Sequence, residues 1–118
     1  PAGNYYIQIK HRNGLETWSA APVSFSNGIT AIFDFTTAQS NAYGNNLVLK
    51  LGKWCIYSGD VEGDGAIDAT DLALIDNDAS AFATGYLRTD LDGNDFVDGT
   101  DYALADNNAS NFVSVIRP

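Results

Sequence analysis

The sequence predicts an α+β protein: an antiparallel, β-sandwich-like module over residues 1–57, followed by two loop-helix repeats over residues 58–118. Three observations support this reading. The first half is rich in aromatic and β-branched residues punctuated by Asn-Gly turns. The second half repeats itself at an offset of thirty residues. Charge divides at the same place: residues 1–57 carry four basic and two acidic side chains, net +2, and residues 58–118 carry two basic and thirteen acidic, net −11, which together make the −9 of the whole chain.

The first half opens with "NYYIQIKHR", in which Tyr5, Ile7 and Ile9 alternate with Tyr6, Gln8 and Lys10, the period of a strand. Asn13-Gly14 in "RNGLE" predicts a tight turn. "ETWSAAPVSFS" continues as a second strand, with Pro22 at an edge or irregular position because proline lacks a ladder donor. A turn at Asn27-Gly28 leads into "GITAIFDFTT", predicted as a third strand with Ile29, Ala31, Phe33 and Phe35 on one side. "NAYGNN" reads as loop, and "LVLKLGKWCIYSG" as one or two further strands. Four or five strands fall short of the roughly seven of an immunoglobulin-like sandwich. The module is therefore expected to be an incomplete immunoglobulin-like sandwich. Upstream sequence, a neighbouring chain or the second half would have to cover its edges.

Composition narrows the function classes. No apolar run approaches the ~18 residues of a membrane span, so membrane insertion is not expected. The acidity of the second half disfavours nucleic acid and anionic lipid and favours cations. Cys55, the single cysteine, has no partner for an internal disulfide and reads as a small buried hydrophobe. The chain opens "PAGNYYIQIK" without an initiator Met or a signal peptide, and reads as a piece of a longer secreted precursor.

Residues 59–88 superpose on residues 89–118. Asp60 falls on Asp90, Gly63 on Gly93, Asp68 on Asp98, Asp71 on Asp101, Leu74 on Leu104, Asn77 on Asn107 and Phe82 on Phe112. Turn, acid and apolar positions stay in step, which marks a duplication. Each copy begins with a twelve-position loop whose oxygen-bearing residues sit at positions 1, 3, 5, 9 and 12, with a backbone carbonyl at 7. In the first copy these are Asp60, Glu62, Asp64, the carbonyl of Ala66, Asp68 and Asp71. In the second they are Asp90, Asp92, Asn94, the carbonyl of Phe96, Asp98 and Asp101. This is the donor pattern of a calcium loop: Ca²⁺ is a hard ion that takes six to eight oxygens at about 2.3–2.6 Å, and short side chains on a tight turn supply them. Mg²⁺ suits a crowded all-protein cage less, and zinc would call for nitrogen or sulfur. The alternative is that the acids merely decorate a solvated surface, but two copies in one register argue against it. Two Ca²⁺ ions are expected, reducing the net charge to about −5 by addition.

Two positions depart from the pattern. Glu62 at position 3 is one methylene longer than Asp. Asp95 stands at position 6, where the chain turns sharply and Gly65 serves the first copy, so strain is expected there. Ile67 and Val97, at position 8, are expected to point inward and pair with each other. A helix should follow each loop, with apolar stripes at Leu72, Ile75, Ala79 and Phe82, and at Tyr102, Ala105, Ala109 and Phe112. Asp76-Asn77 and Asp106-Asn107 are poor helix formers and predict short or broken helices. No helix is expected before either loop.

The arrangement resembles a dockerin module, a duplicated calcium-loop-plus-helix unit. Dockerin loops read D-x-[ND]-x-D-G-x-[VI]-[ND]-x-x-D, to which "DVEGDGAIDATD" and "DLDGNDFVDGTD" are similar. The resemblance covers roughly residues 57–118. It implies two bound Ca²⁺ and a protein partner of the cohesin kind, engaged through loop positions 10 and 11, here Ala69-Thr70 and Gly99-Thr100, and through the following helix. The whole chain, with "YYIQIKHRNGLETWSA", "FDFTT" and "AYG" ahead of the loops, is similar to C-terminal regions of large secreted or cell-surface proteins of Bacteroidetes-like bacteria. That implies an extracellular or cell-surface attachment or scaffold segment.

The leading expectation is thus a non-catalytic, calcium-stabilised module for attachment or assembly. One alternative is a surface-fibre subunit whose incomplete sheet accepts a strand from a neighbouring copy, giving a homopolymer. Another is a carbohydrate-binding accessory module using Trp18, Trp54, Tyr5 and Tyr6. An enzyme is not expected: His11 is the single histidine, and no nucleophile-base constellation is legible. "NAS" at Asn108 fits a glycosylation sequon and would place a glycan on the second helix.

Overall fold

The computed structural model describes residues 2–118; Pro1, expected to mark a processed or internal boundary, lies outside them. The protein is mixed α and β: among the described residues six short strands form three two-stranded antiparallel sheets, and there are two twelve-residue helices. None of the described helices is long and apolar enough to cross a membrane. The chain forms two compact units. A β unit takes residues 2–10, Glu16–Ile56 and Ile116–Pro118, and a repeat unit takes His11–Leu15 and Tyr57–Val115.

In the β unit, β1 (Gly3–Tyr5) pairs with β4 (Val23–Phe25), and β2 (Gln8–Ile9) pairs with β3 (Thr17–Trp18). The two expected long strands are therefore each broken in the middle. Tyr5 lies opposite Val23 and Gln8 opposite Trp18, so four residues, 19–22, stand against two, Tyr6 and Ile7, between the ladders, and Ser19 is also bridged to Ala42. Pro22 lies in this bulge, where no ladder donor is required. Ser19 closes the gap: its N–H donates to the Ile7 carbonyl at 2.8 Å, its Oγ accepts from the Ile7 N–H at 2.9 Å, and its hydroxyl donates to the Ala21 carbonyl at 2.9 Å.

The hairpin of β5 (Val48–Lys50) and β6 (Lys53–Cys55) turns through Leu51 and Gly52, with φ of 49° and 79°. Positive φ at both central residues is the pattern of a type I′ turn. The expected third strand does not form. The Asn27-Gly28 turn closes, with the Ile29 N–H on the Ser26 carbonyl at 3.2 Å, but residues 29–35 then join no sheet. Their half-buried Ala31, Phe33 and Phe35 still alternate with exposed Thr30, Ile32 and Asp34, so the strand period is present without a ladder partner. "NAYGNN" begins at the end of one short 3-10 turn, Gln39–Asn41, and holds a second, Tyr43–Asn45.

Polar groups take much of the interior of this unit: Glu16, Thr17, Ser19 and Asn46 are buried alongside Ala42 and Leu47. Glu16 accepts from Arg117 Nε at 2.8 Å and from Trp18 Nε1 at 2.7 Å, with Lys10 Nζ at 3.7 Å. The Arg117 hydrogen bond lowers its carboxyl to about 2, against the opposing effect of burial, with Trp18 contributing in the same direction as Arg117. Cys55 is half-buried in β6.

In the repeat unit, α1 (Ala69–Ser80) and α2 (Gly99–Ser110) each begin with a reciprocal cap. Asp68 accepts from the Thr70 N–H at 3.0 Å while Asp71 accepts from the Asp68 N–H at 3.0 Å, and Asp98 with Asp101 repeats the motif. Neither helix breaks at its Asp-Asn pair. Asp76, Asn77, Asp106 and Asn107 are all exposed, where a weak propensity costs only tenths of a kcal/mol, roughly, beside a packed opposite face.

The core is Val61, Ile75, Val97 and Ala105, flanked by Leu72, Ala79, Ala83, Leu87 and Leu91. The expected stripes are corrected at their ends: Phe82 and Phe112 are 87% and 90% exposed, and Tyr102 is exposed as well. Each Phe follows its helix in a left-handed conformation, with φ of 54° and 55°. There it closes a Schellman motif. Phe82 and Ala83 donate to Ala79 and Asp78 at 3.1 and 3.0 Å, and Phe112 and Val113 donate to Ala109 and Asn108 at 3.0 and 3.2 Å. The side chain is thereby swung off the buried face.

Candidate metal centre

Each loop is organised around its first carboxylate. Asp60 is buried and accepts three main-chain N–H groups: Gly63 at 2.9 Å, Asp64 at 3.2 Å and Gly65 at 3.0 Å. Asp90 does the same with Gly93 at 3.0 Å, Asn94 at 3.3 Å and Asp95 at 2.9 Å. Asx turns continue the winding: Asp64 accepts from Ala66 at 3.1 Å, and Asn94 accepts from Phe96 at 3.1 Å. Position 6 turns at φ of 90° in Gly65 and 70° in Asp95, so the strain expected at Asp95 is present in the backbone.

Position 12 closes each loop from the helix. Fully buried Asp71 accepts from Glu62 at 3.1 Å and from Asp68 at 3.0 Å. Fully buried Asp101 accepts from Leu91 at 2.7 Å, Asp92 at 3.1 Å and Asp98 at 2.9 Å. A carboxylate placed by helix geometry thus holds the start of its own loop.

Two groups of acids converge: Glu62, Asp64, Asp68 and Asp71 in the first loop, and Asp90, Asp92 and Asp101 in the second, each with carboxylate oxygens within 4.8 Å of one another. Asp60 and Asp98 lie outside these groups, and Asn94 brings its amide oxygen to the second loop as a neutral donor. Ala66 and Phe96, the carbonyl positions, sit in isolated antiparallel bridges to Ser114 and Thr84.

The electrostatics are those of crowded carboxylates. Glu62 is pushed up to about 7 because Asp64 hydrogen-bonds to it and repels its charge. Burial raises Asp60 and Asp71 above the usual carboxylate range, and burial with a contribution from Asp90 raises Asp92. Asp64 is lowered, first by the Ala66 N–H and then by Glu62. Oxygen-only donors of this density fit a hard divalent cation, which would favour the ionised form of every one of them. These two acidic groups could hold metal ions.

Ile67 and Val97 are buried as expected, but their backbones do not pair with each other. Ile67 N–H donates to Val113 at 3.1 Å, beyond α2, and Val97 N–H donates to Ala83 at 3.0 Å, beyond α1. Val115 on Gly65 at 2.7 Å and Gly85 on Asp95 at 2.9 Å extend the two contacts. The segment leaving each helix thus zips to the loop of the other repeat. One copy alone would leave both its loop and its exit segment unpaired.

The tight turn expected at Asn13-Gly14 does not join the strands directly: residues 11–15 lie in a seven-residue connection from Ile9 to Thr17 and join the repeat unit. Asn13 is buried; its carbonyl accepts from Gly59 at 2.8 Å and its side-chain amide donates to the Asp90 carbonyl at 3.3 Å. Leu15 N–H donates to Tyr57 at 2.8 Å, and Arg12 donates to the Leu87 carbonyl at 2.5 Å while lying 4.0 Å from the Tyr86 ring centroid. Both loop entrances are therefore tied to this connection. No local sequence signal marks this role, because Asn-Gly is also the strongest hairpin signal. Asn108 of the sequon is half-buried and donates its side-chain nitrogen to the Ser58 carbonyl at 2.7 Å.

Comparison with protein-family models, curated proteins and solved structures finds no match to this chain.

Proposed function

We propose that the chain is a non-catalytic, extracellular or cell-surface module for attachment or assembly, in which a dockerin-like pair of repeats is stabilised by one Ca²⁺ in each loop. The observation that carries this reading is the convergence of four carboxylates in one loop and three in the other, every one an oxygen donor. Its partner is a protein, either a cohesin-like module or a neighbouring copy. Positions 10 and 11 support a protein contact, since Ala69, Thr70, Gly99 and Thr100 are all exposed.

Metal binding here acts as folding energy, because the buried apolar set of the repeat unit is small and crowded acids oppose its closure. Calcium at 100 times the dissociation constant would contribute about 2.7 kcal/mol per site. Thermal melts with calcium and with excess chelator test this: the midpoint should rise by several degrees with calcium and fall back on chelation. A melt indifferent to both would remove the reading.

A second reading, a fibre subunit built by strand complementation onto an incomplete immunoglobulin-like sandwich, is favoured by residues 30–35. This stretch keeps strand alternation without a ladder partner, and its outward Ile32 is 87% exposed. Ile32→Lys would block that edge, and negative-stain imaging of native and variant chains would separate rods from single particles.

A further inference from the structure

Leu51 is the most exposed of the large hydrophobic side chains described, at 105%, and it stands at φ of 49° in a turn position where Asn, Asp or Gly is usual. Lys50 and Lys53 flank the two turn residues, Leu51 and Gly52, and lie directly opposite each other across the β5–β6 ladder. Like charges so placed are destabilising. The hairpin tip thus carries a left-handed, solvent-facing leucine between two opposed cations. None of these features serves the hairpin itself, and such departures from local preference point toward function.

The repeat unit carries a surface of opposite character. A groove of about 500 Å³ is lined by Ile67, Leu72, Ala109, Phe112 and Val113, with Asp68 and Asp106 among its polar residues. It opens where the first repeat has small or aliphatic side chains; the equivalents of Ala66 and Leu72 in the second repeat are Phe96 and Tyr102. The exposed ring of Phe112 forms part of the wall, which gives that strained residue a purpose.

We propose that the chain associates head to tail, the Leu51 tip of one copy entering this groove on the next, with Lys50 and Lys53 facing Asp106. Charge complementarity selects a second copy as the occupant: the tip belongs to a unit of net +2, and the groove to a unit of net −11, about −7 with two Ca²⁺ bound. One tip and one groove per copy let each copy engage one neighbour through its tip and another through its groove. A contact this small belongs to the weak class, below about 1,200 Å². It would serve assembly where copies are concentrated or tethered. This inference rests on the assembly reading and names its partner.

The test is sedimentation of the full chain in calcium-saturated buffer at concentrations up to about 1 mM, a range suited to weak contacts, with a melt in calcium and in chelator run on the same samples. The melt reports on calcium binding separately, so a failed calcium reading and a failed contact give different results. The average mass of the native chain should rise with concentration and fall with salt. Leu51→Asn, which suits the turn better than leucine, and Asp106→Lys, on an exposed helix position, should each weaken association about tenfold or more while keeping the native melt. Mixing those two variants should restore a dimer and nothing larger, because one keeps the groove and the other keeps the tip. Ile32→Lys should associate as the native chain does. A folded, calcium-responsive protein that stays monomeric throughout would overturn the proposal, as would association that survives both variants or is lost with Ile32→Lys alone.

Discussion

Asn13 donates its side-chain amide to the main-chain carbonyl of Asp90 at 3.3 Å, so a residue from the β2–β3 connection holds the first ligand position of the second loop. The Asn13 carbonyl meanwhile accepts from Gly59, the residue before the first loop. Asn13→Ala should therefore cost about 1–2 kcal/mol, the penalty for leaving a buried carbonyl without its partner. It should also weaken calcium binding in the second loop more than in the first, because the Gly59 contact is made by the backbone and survives. Calorimetric calcium titration of the variant checks this; equal weakening of both loops would refute the asymmetry.

Asp71→Asn and Asp101→Asn each replace a buried acceptor of at least two main-chain N–H groups with one that has a single acceptor oxygen. Each should abolish calcium binding in its own loop and remove about half of the calcium-dependent rise in melting midpoint, if the sites contribute equally. The double variant should melt identically with calcium and with chelator.

Glu16 sets an acid limit in the β unit. Its folded carboxyl titrates at about 2 against an ordinary 4.5, so its contribution is complete at neutral pH, declines below about pH 4.5 and is lost as pH falls through 2. Arg117 is more than half exposed, which screens the pair and limits the contribution to about 1 kcal/mol. Arg117→Ala should flatten this part of the stability-pH profile, read by urea denaturation between pH 2 and 7.

Phe82→Gly should stabilise the repeat unit by about 1 kcal/mol, since glycine enters the left-handed position of a Schellman motif without the Cβ penalty and the ring is almost wholly in solvent. Thermal melting measures the gain. A loss instead would show that the ring packs in a way its exposure does not reveal.

The amino-acid order alone carried the duplication, the two acidic loops and the helix after each, because all three are written in local spacing. Twelve positions of Asp, Asn and Gly can wind in few ways, and Asp68 and Asp98 cap their helices within a few residues. The strained Asp95 was legible for the same reason. In the β half, period-2 alternation in residues 31–35 expressed the strand tendency but not whether a partner strand lay beside it. What spacing could not convey was which distant segments meet. The exit from each helix crosses to the other repeat's loop; Asn13 leaves its apparent turn to join both loop entrances; Phe82 and Phe112 swing outward after a helix whose periodicity placed them inward. The first two outcomes are settled by pairing of groups far apart in sequence, where a donor buried by the fold takes the acceptor that packing brings near it. The third is settled by the left-handed Schellman bonds that end each helix, which the apolar spacing does not express.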